Sequence, residues 1–192
     1  MLRRSIYRPV MPPPLPIAVT AGETGPWQIT AIRAVAGESL APARRLVVEE
    51  GQAAAPPGAW RLRGVTSHLR YTAEAERDRL ASVQEGLGRP AALRAALIPI
   101  RKSEAWWALA QDARRAILEE KSRHIAIGLD YLPAVARRLI HSRDLGEPFD
   151  FLTWFEFAPE HNSAFDALLA RLRATEEWRY VEREVEIRLA RD

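Results

Sequence analysis

The stretch FDFLTWFEF at residues 149–157 has a large side chain or a threonine at every second position. Side chains of a strand alternate between its two faces, so this spacing predicts a strand with one buried face. That face would carry Phe149, Phe151, Thr153, Phe155 and Phe157. The amphipathic stretch SAFDALLARLRA follows at 163–174 and predicts a helix, and EEWRYVEREVEIRLAR at 176–191 predicts a last strand that begins at Glu176 and Glu177.

The segments before this stretch extend the same alternation of strands and helices. ALIPI at 96–100 is typical of a buried strand, with Pro99 at a bend or a sheet edge. Residues 104–129 predict helical turns, and Leu132-Pro133 predicts the start of a further helix, because proline is tolerated in a first helical turn. The front of the chain predicts strands at WQITAIRAV (27–35), RRLVVEE (44–50) and AWRLRGVTSHLRY (59–71), then a helix at AERDRLASVQEGLG (75–88).

This order of elements predicts an α+β fold made of two ferredoxin-like halves. Residues 1–25 contain MPPPLP and predict an extended N-terminal arm, suited to lying on a partner subunit. A reduced N-terminal half would span residues 26–94, and the C-terminal half residues 95–192.

Composition excludes several classes of protein. The chain of 192 residues has no cysteine, so thiolate metal sites, disulfides and a cysteine nucleophile are excluded. Its 28 Lys and Arg residues face 25 Asp and Glu residues, and this balance of +3 argues against nucleic-acid binding. No run approaches the roughly 18 apolar residues of a membrane span, and the start has no apolar export region. We therefore expect a cytoplasmic protein that does not enter membranes.

His124 is the candidate metal ligand. At 100° per residue it would share a helical face with Ala113 and Ile117, so it would point to the core. A packed core histidine that bonds through both ring nitrogens is the alternative. His68, His141 and His161 have no spacing that would make a metal cluster, and GxGxxG, Walker, HExxH and GxSxG motifs are absent.

Other residues could accompany such a histidine, although each also has an ordinary interpretation. Lys102 ends a predicted strand just before Trp106 and Trp107, which suits either a binding site or a snorkelling lysine over core tryptophans. Glu177 could lie in a solvated turn. Arg137 lies in an apolar stretch, where its guanidinium could offer a planar fork of donors to an anion.

Taken in order, these segments resemble the chlorite dismutase family in its short-chain, dimeric lineage. The resemblance covers residues 60–191 and rests on WRLRGVTSHLRY, SVQEGLGR, ALIPIRKSEAWW, KSRHIA, YLPAVARRLIH, GEPFDFLTWFEFAPEH and LRATEEWRYVEREVEIRL. It implies a homodimer with a dimeric α+β barrel fold, haem b as cofactor and chlorite as substrate. In such enzymes chlorite is cleaved at the iron to oxo-iron and hypochlorite, which recombine to release chloride and dioxygen.

The resemblance also implies a role for each site residue. His124 matches the proximal iron ligand, Glu177 its hydrogen-bond partner and Lys102 the third member of that network. Trp106 and Trp107 match the tryptophans that line the haem and its propionates. Arg137 matches the distal arginine, Gln84 a distal glutamine and Tyr71 a propionate contact.

Three alternatives remain at this point. Coprohaem decarboxylases are similar in fold and proximal histidine, but they typically have glutamine where Arg137 stands. Dye-decolourising peroxidases carry a GxxDG motif that this sequence lacks. A haem-free barrel serving as a binding module would simply pack His124 in its core.

Overall fold

The structure is a computed structural model that describes residues 14–51, 57–66, 83 and 86–192. Tyr71, Gln84 and nearly all of the helix predicted at residues 75–88 lie outside the described residues. These three predictions therefore stay predictions.

Eight strands form a closed barrel in which every neighbouring pair is antiparallel. Around the barrel the strands follow the order β1, β3, β2, β8, β5, β7, β6, β4, and β4 pairs back onto β1. The strands are β1 (Pro16–Gly22), β2 (Trp27–Ala36), β3 (Arg45–Glu50), β4 (Trp60–Thr66), β5 (Arg94–Lys102), β6 (Val135–His141), β7 (Phe151–Phe157) and β8 (Val181–Ala190).

Helices fill the two long connections of the C-terminal part. Between β5 and β6 lie α1 (Glu104–Ala108), α2 (Gln111–Arg115), a π-helical turn (Ala116–Lys121) and α3 (His124–Leu129). Between β7 and β8 lies α4 (Asn162–Arg173). Short 3₁₀ turns cover Arg143–Leu145, Pro159–His161 and Glu176–Tyr180. No helix in the described ranges is long and apolar enough to cross a membrane. The α+β class predicted from the sequence is confirmed.

β5 and β7 have buried residues on both faces, which explains their largely apolar sequences. One face of β5 and β7 contributes Leu97, Leu152 and Trp154 to the barrel interior. The opposite face packs against α4 and contributes Ile98, Phe155 and Phe157. The strand predicted at residues 149–157 is found at Phe151–Phe157, but the prediction of a single buried face is wrong.

Pro99 also differs from its predicted place. It lies in the middle of β5, which has neighbours on both sides, rather than at a sheet edge. The pairing of β5 with β8 stops after Leu97 and resumes at Ile100. Proline has no N–H to donate, so an interruption at this point is the expected consequence.

The helix predicted from Leu132-Pro133 is wrong, because Val135–His141 forms strand β6. β6 pairs with β7 along its whole length and with β4 at its end. The β-branched residues Val135 and Ile140 are buried, and they suit a sheet better than a helix. Tertiary pairing with β7 thus overrides the local signal of the proline. With β6 included, the C-terminal elements run strand, helices, strand, strand, helix, strand.

The extended arm predicted for residues 1–25 is corrected over its last part. Pro16–Gly22 forms β1, which pairs with β3 on one side and β4 on the other. Burial explains why this segment is a strand of the barrel and not an extended arm. The buried residues are Ile17, Ala18, Val19, Thr20 and Ala21. The division into two ferredoxin-like halves stays a prediction.

Phe165 tests the packing of α4 on the sheet. Its side chain is fully buried, and its ring lies 5.0 Å from Phe155 and 4.6 Å from Phe157 between centroids. Phe165→Ala should lower the free energy of unfolding by about 3–5 kcal/mol, because it removes buried area and leaves a cavity. Urea unfolding measures this loss. The matched control Leu145→Ala, at a side chain that is 47% exposed, should change it by less than about 1 kcal/mol. Equal losses would contradict this packing.

Candidate functional site

A buried carboxylate, that of Glu177, joins two other predicted site residues. Its Oε2 lies 2.6 Å from Nδ1 of His124, and its Oε1 accepts a hydrogen bond of 2.7 Å from Nζ of Lys102. The side chains of Lys102 and Glu177 are only 3% and 4% exposed, whereas that of His124 is 24% exposed. The structure thus brings together three residues that lie far apart in the sequence.

The ionised carboxylate of Glu177 determines which ring nitrogen of His124 donates to it. Burial raises the pKa of the Glu177 carboxyl, but the charges and hydrogen bonds of His124 and Lys102 outweigh it and lower that pKa to about 2. An ionised carboxylate only accepts hydrogen bonds, so Nδ1 of His124 must donate. In the neutral ring Nε2 then carries the lone pair, which is the form that binds a metal. No hydrogen-bond partner of Nε2 is found among the described residues.

The backbone before His124 explains why this side chain leaves the core. The π-helical turn Ala116–Lys121 ends just before Arg123, whose left-handed backbone has φ 53° and ψ 35°. His124 then begins α3 in a new direction. The prediction that His124 shares a continuous helical face with Ala113 and Ile117 is therefore wrong. π-Helical turns and left-handed residues often mark functional sites.

Glu177 lies in the 3₁₀ turn Glu176–Tyr180, so the prediction that it begins the last strand is wrong. Nor is the turn solvated at this residue, since Glu177 is 3% exposed. Its backbone N–H donates to Oγ of Ser122 at 2.9 Å, and Lys121 pairs with Glu176 at 3.2 Å. Together with the bond from His124, these contacts fasten the turn to the segment that precedes α3.

Two tryptophans enclose the ammonium group of Lys102. Nζ lies 4.8 Å from the ring centroid of Trp106 and 5.3 Å from that of Trp178. The Trp178 ring is also nearly parallel to the imidazole of His124, with 6.3 Å between centroids. Trp106 is 1% exposed, and its Nε1 has no hydrogen-bond partner in the described part of the chain. Trp106 therefore offers a buried donor, whereas Trp178 positions the imidazole.

Trp107 has a different environment from its neighbour in the sequence. Its Nε1 donates to Asp150 at 3.2 Å, and Asp150 also accepts from the backbone N–H of Lys102 at 2.6 Å. The guanidinium carbon of Arg143 lies 3.9 Å from the Trp107 ring centroid, and Phe151 stacks at 6.0 Å. Asp150 thus ties the ring of Trp107 to the end of β5.

Arg137 lies on β6, next to the helix that begins with His124. A Cβ added at Gly128 would fall 2.8 Å from Nη1 of Arg137, so the absence of a side chain there permits the approach of the guanidinium. Burial lowers the pKa of Arg137 from its ordinary value, and the charge of Glu119 partly opposes this effect. A guanidinium remains a cation under these conditions.

Sequence reasoning did not single out Ser122, Asp150 or Trp178. An acidic residue inside the aromatic run FDF was a usable signal for Asp150, since a buried carboxylate needs donors. Trp178 directly follows Glu177, and only the turn of the backbone places it beside His124. No group of three or more His, Asp or Glu side chains that could hold a metal ion is found in the described ranges.

Comparison with known proteins places this geometry in a family. The sequence profile described as chlorite dismutase matches residues 58–192. The chain belongs to the chlorite dismutase family. A chlorite dismutase from Ideonella dechloratans is 32% identical over an alignment of 122 residues, and the match covers 61% of this chain and 40% of that protein. The chain therefore spans less than half the length of that relative.

Solved structures agree with this assignment. The dimeric chlorite dismutase from Nitrobacter winogradskyi is 59% identical, with a TM-score of 0.86 over 92% of this chain and 99% of that chain. A mutant chlorite dismutase from Candidatus Nitrospira defluvii is 30% identical, with a TM-score of 0.56 over 76% of this chain and 56% of that chain. The barrel described above is thus the barrel of this family.

The paired charges of Glu177 predict a dependence of stability on pH. Glu177→Gln leaves the Lys102 ammonium buried without its counter-charge, so it should cost about 3–5 kcal/mol of unfolding free energy at pH 7. A carboxyl whose pKa is lowered from 4.5 to about 2 by folding stabilises the fold above pH 4.5 and loses that effect as the pH falls towards 2. The difference between wild type and variant should therefore shrink over this range in urea unfolding.

Glu176→Gln is the matched control for this measurement. Its carboxylate pairs with Lys121 at the surface, so the variant should lose less than about 1 kcal/mol at pH 7. Similar losses in the two variants, or a difference between wild type and Glu177→Gln that does not change with pH, would contradict the role given to Glu177.

Proposed function

We propose that the protein is a haem b enzyme that decomposes chlorite to chloride and dioxygen. The observation that carries this proposal is the imidazole of His124, whose Nδ1 is held by a buried carboxylate while Nε2 carries the lone pair. Membership of the chlorite dismutase family supports the substrate. When bound, the haem supplies the redox chemistry that breaks the chlorine–oxygen bonds and forms dioxygen.

The residues present fit a haem group. His124 would bind the iron through Nε2, and Glu177 would make the imidazole more basic by accepting from Nδ1. Lys102 holds Glu177 in its ionised form. The buried Nε1 of Trp106, which has no partner among the described residues, fits as a donor to a propionate oxygen. Trp107 fits as an apolar wall, because its own donor is already bonded to Asp150.

Arg137 would act on the substrate through charge and hydrogen bonds. Its guanidinium is always a cation and presents its donors in one plane, which suits an oxyanion of chlorine. It would attract chlorite and then hold hypochlorite until the oxygen–oxygen bond has formed. Glutamine at this position would lack the positive charge, so the arginine favours chlorite decomposition over coprohaem decarboxylation.

A homodimer is the assembly that we infer. Its support is the dimeric chlorite dismutase from Nitrobacter winogradskyi, which matches 92% of this chain at 59% identity. Gln84 and Tyr71 keep their predicted places near substrate and propionate as proposals, since both lie outside the described residues. A cytoplasmic location also stays a prediction from the sequence.

An oxygen electrode tests the proposed function. Haem-loaded wild type should release one dioxygen per chlorite consumed.

The haem content of His124→Ala tests the iron ligand. This variant should purify largely without haem, because His124 is the proposed protein ligand of the iron. His161→Ala is the matched control, since His161 lies in a turn at the start of α4 and should leave the haem content unchanged. Full haem retention in His124→Ala would refute His124 as the iron ligand. If wild type gives no oxygen from chlorite but decarboxylates coprohaem, the protein is a coprohaem decarboxylase instead.

Arg137→Ala tests the control of hypochlorite. The variant should still release some oxygen, with turnover reduced roughly 100-fold or more, because a charged donor to the reacting anion is lost. It should also bleach faster and release an oxidant that a chlorination trap detects. The neighbouring Arg138 pairs with Glu50, so Arg138→Ala is the matched control and should behave as wild type. Unchanged turnover and lifetime in Arg137→Ala would count against this role.

A further inference from the structure

Glu119 has so far appeared only through its charge, which acts on the pKa of Arg137, yet its carboxylate also lies at the start of the helix that carries His124. Oε2 accepts the backbone N–H of Ile125 at 2.7 Å, and Oε1 lies 3.3 Å from the backbone nitrogen of Ala126. These are the second and third residues of α3. A single side chain thus satisfies two of the N–H groups that the first turn of a helix leaves without partners.

This arrangement replaces an ordinary helix cap. Serine, threonine, aspartate or asparagine usually occupies the position before a helix, with its side chain bonded to the first turn. Here that position is Arg123, which has a left-handed backbone and makes no side-chain cap. Glu119 supplies the missing acceptor from the π-helical turn, four residues before Arg123. The left-handed residue reverses the chain so that the carboxylate can reach back to α3.

The position of α3 matters for two of the predicted site residues. His124 is the first residue of α3, and Gly128 one turn later lies beside Arg137, where an added Cβ would fall 2.8 Å from Nη1. The ring of His124 is held by Glu177, and the preceding Ser122 accepts from the backbone of Glu177. Those contacts fix the ring and the chain before the helix, but they do not fix the direction of its axis.

We propose that Glu119 is a positioning residue, whose carboxylate fixes the first turn of α3 and thereby aligns His124 with its ligand and Gly128 with Arg137. The proposal rests on the proposed function, because the alignment matters through the haem that His124 would hold. Glu119 touches neither substrate nor cofactor in this role. The negative charge of Glu119 is also favourable at the N-terminus of α3, which is the positive end of the helix dipole.

Glu119→Ala and Glu119→Gln test the proposal, with Glu120→Gln as the matched control. Glu120 is exposed and belongs to the same π-helical turn, so its variant makes the same charge change without touching α3. In the haem-loaded protein, transfer of haem to an excess of apomyoglobin should be roughly fivefold faster for Glu119→Ala, the factor that corresponds to the loss of a helix cap. Glu119→Gln should lie in between, since an amide oxygen can still accept one N–H.

Two further readouts separate alignment from a general loss of stability. The amide hydrogens of Ile125 and Ala126 should exchange faster in Glu119→Ala, while those of β5 and β8 should not change. The iron–histidine stretching band of the ferrous protein should move to lower frequency, because a tilted His124 bonds less well to Glu177. A lower unfolding temperature with an unchanged stretching band and unchanged haem transfer would overturn the proposal.

The outcome for wild type separates this proposal from the proposed function. Wild type that binds no haem would end the proposed function. The other outcome is that haem-loaded wild type, Glu119→Ala and Glu120→Gln all show the same rate of haem transfer and the same stretching band. That result would leave the proposed function intact and refute only the role of Glu119.

Discussion

The buried negative charge of Glu177 is the constraint on which the site depends. An ionised carboxylate with so little exposure is costly unless donors surround it. Lys102 and His124 bond to this carboxylate, and Oγ of Ser122 accepts the backbone N–H of the same glutamate. Lys102 belongs to β5, His124 to the connection between β5 and β6, and Glu177 to the turn before β8, so the cost of burying one charge holds three segments together. The same interactions leave Nε2 of His124 as the basic nitrogen.

The barrel explains how these segments meet. β5 and β8 are neighbours, and their pairing ends with Lys102 opposite Val181. The N–H of Ser103 then donates to the carbonyl of Tyr180 at 2.8 Å, which brings the end of β5 beside the turn that contains Glu177. His124 arrives from the helical connection between β5 and β6. Two members of the network therefore come from sheet pairing, whereas the third depends on an irregular helix. The irregular helical connection has no sheet pairing to hold it, so the hydrogen bonds of Glu119 and Ser122 fix it instead.

The sequence predicts the regular parts of this molecule better than the irregular ones. Periodicity is sufficient for β7, α4 and β8, because their side chains repeat with the spacing of a strand or a helix. It fails for β6, where pairing with β7 overrides the proline at 133, and for β1, which follows a run of prolines. The grouping of His124, Glu177 and Lys102 came from the family resemblance, since no spacing could bring these residues together. The cap from Glu119 follows no known sequence pattern, because a left-handed arginine must first reverse the chain.

The tryptophan that lies along the imidazole is itself anchored by buried charge. Nε1 of Trp178 donates to Glu184 at 2.8 Å, and Arg173 of α4 bonds the same carboxylate at 2.6 Å and Glu186 at 2.8 Å. Burial raises the pKa of Glu186, but its bonds to Arg173 and Arg188 lower it, so this carboxylate stays ionised. The histidine side of the site is therefore supported by two groups of buried ion pairs, one at Glu177 before β8 and one at Glu184 and Glu186 within it. Arg137, by contrast, lies against the backbone of Gly128, where an added Cβ would fall 2.8 Å from its Nη1. The imidazole of His124 is thus placed by charged side chains, whereas the approach of the Arg137 guanidinium to α3 depends on the missing side chain of a glycine.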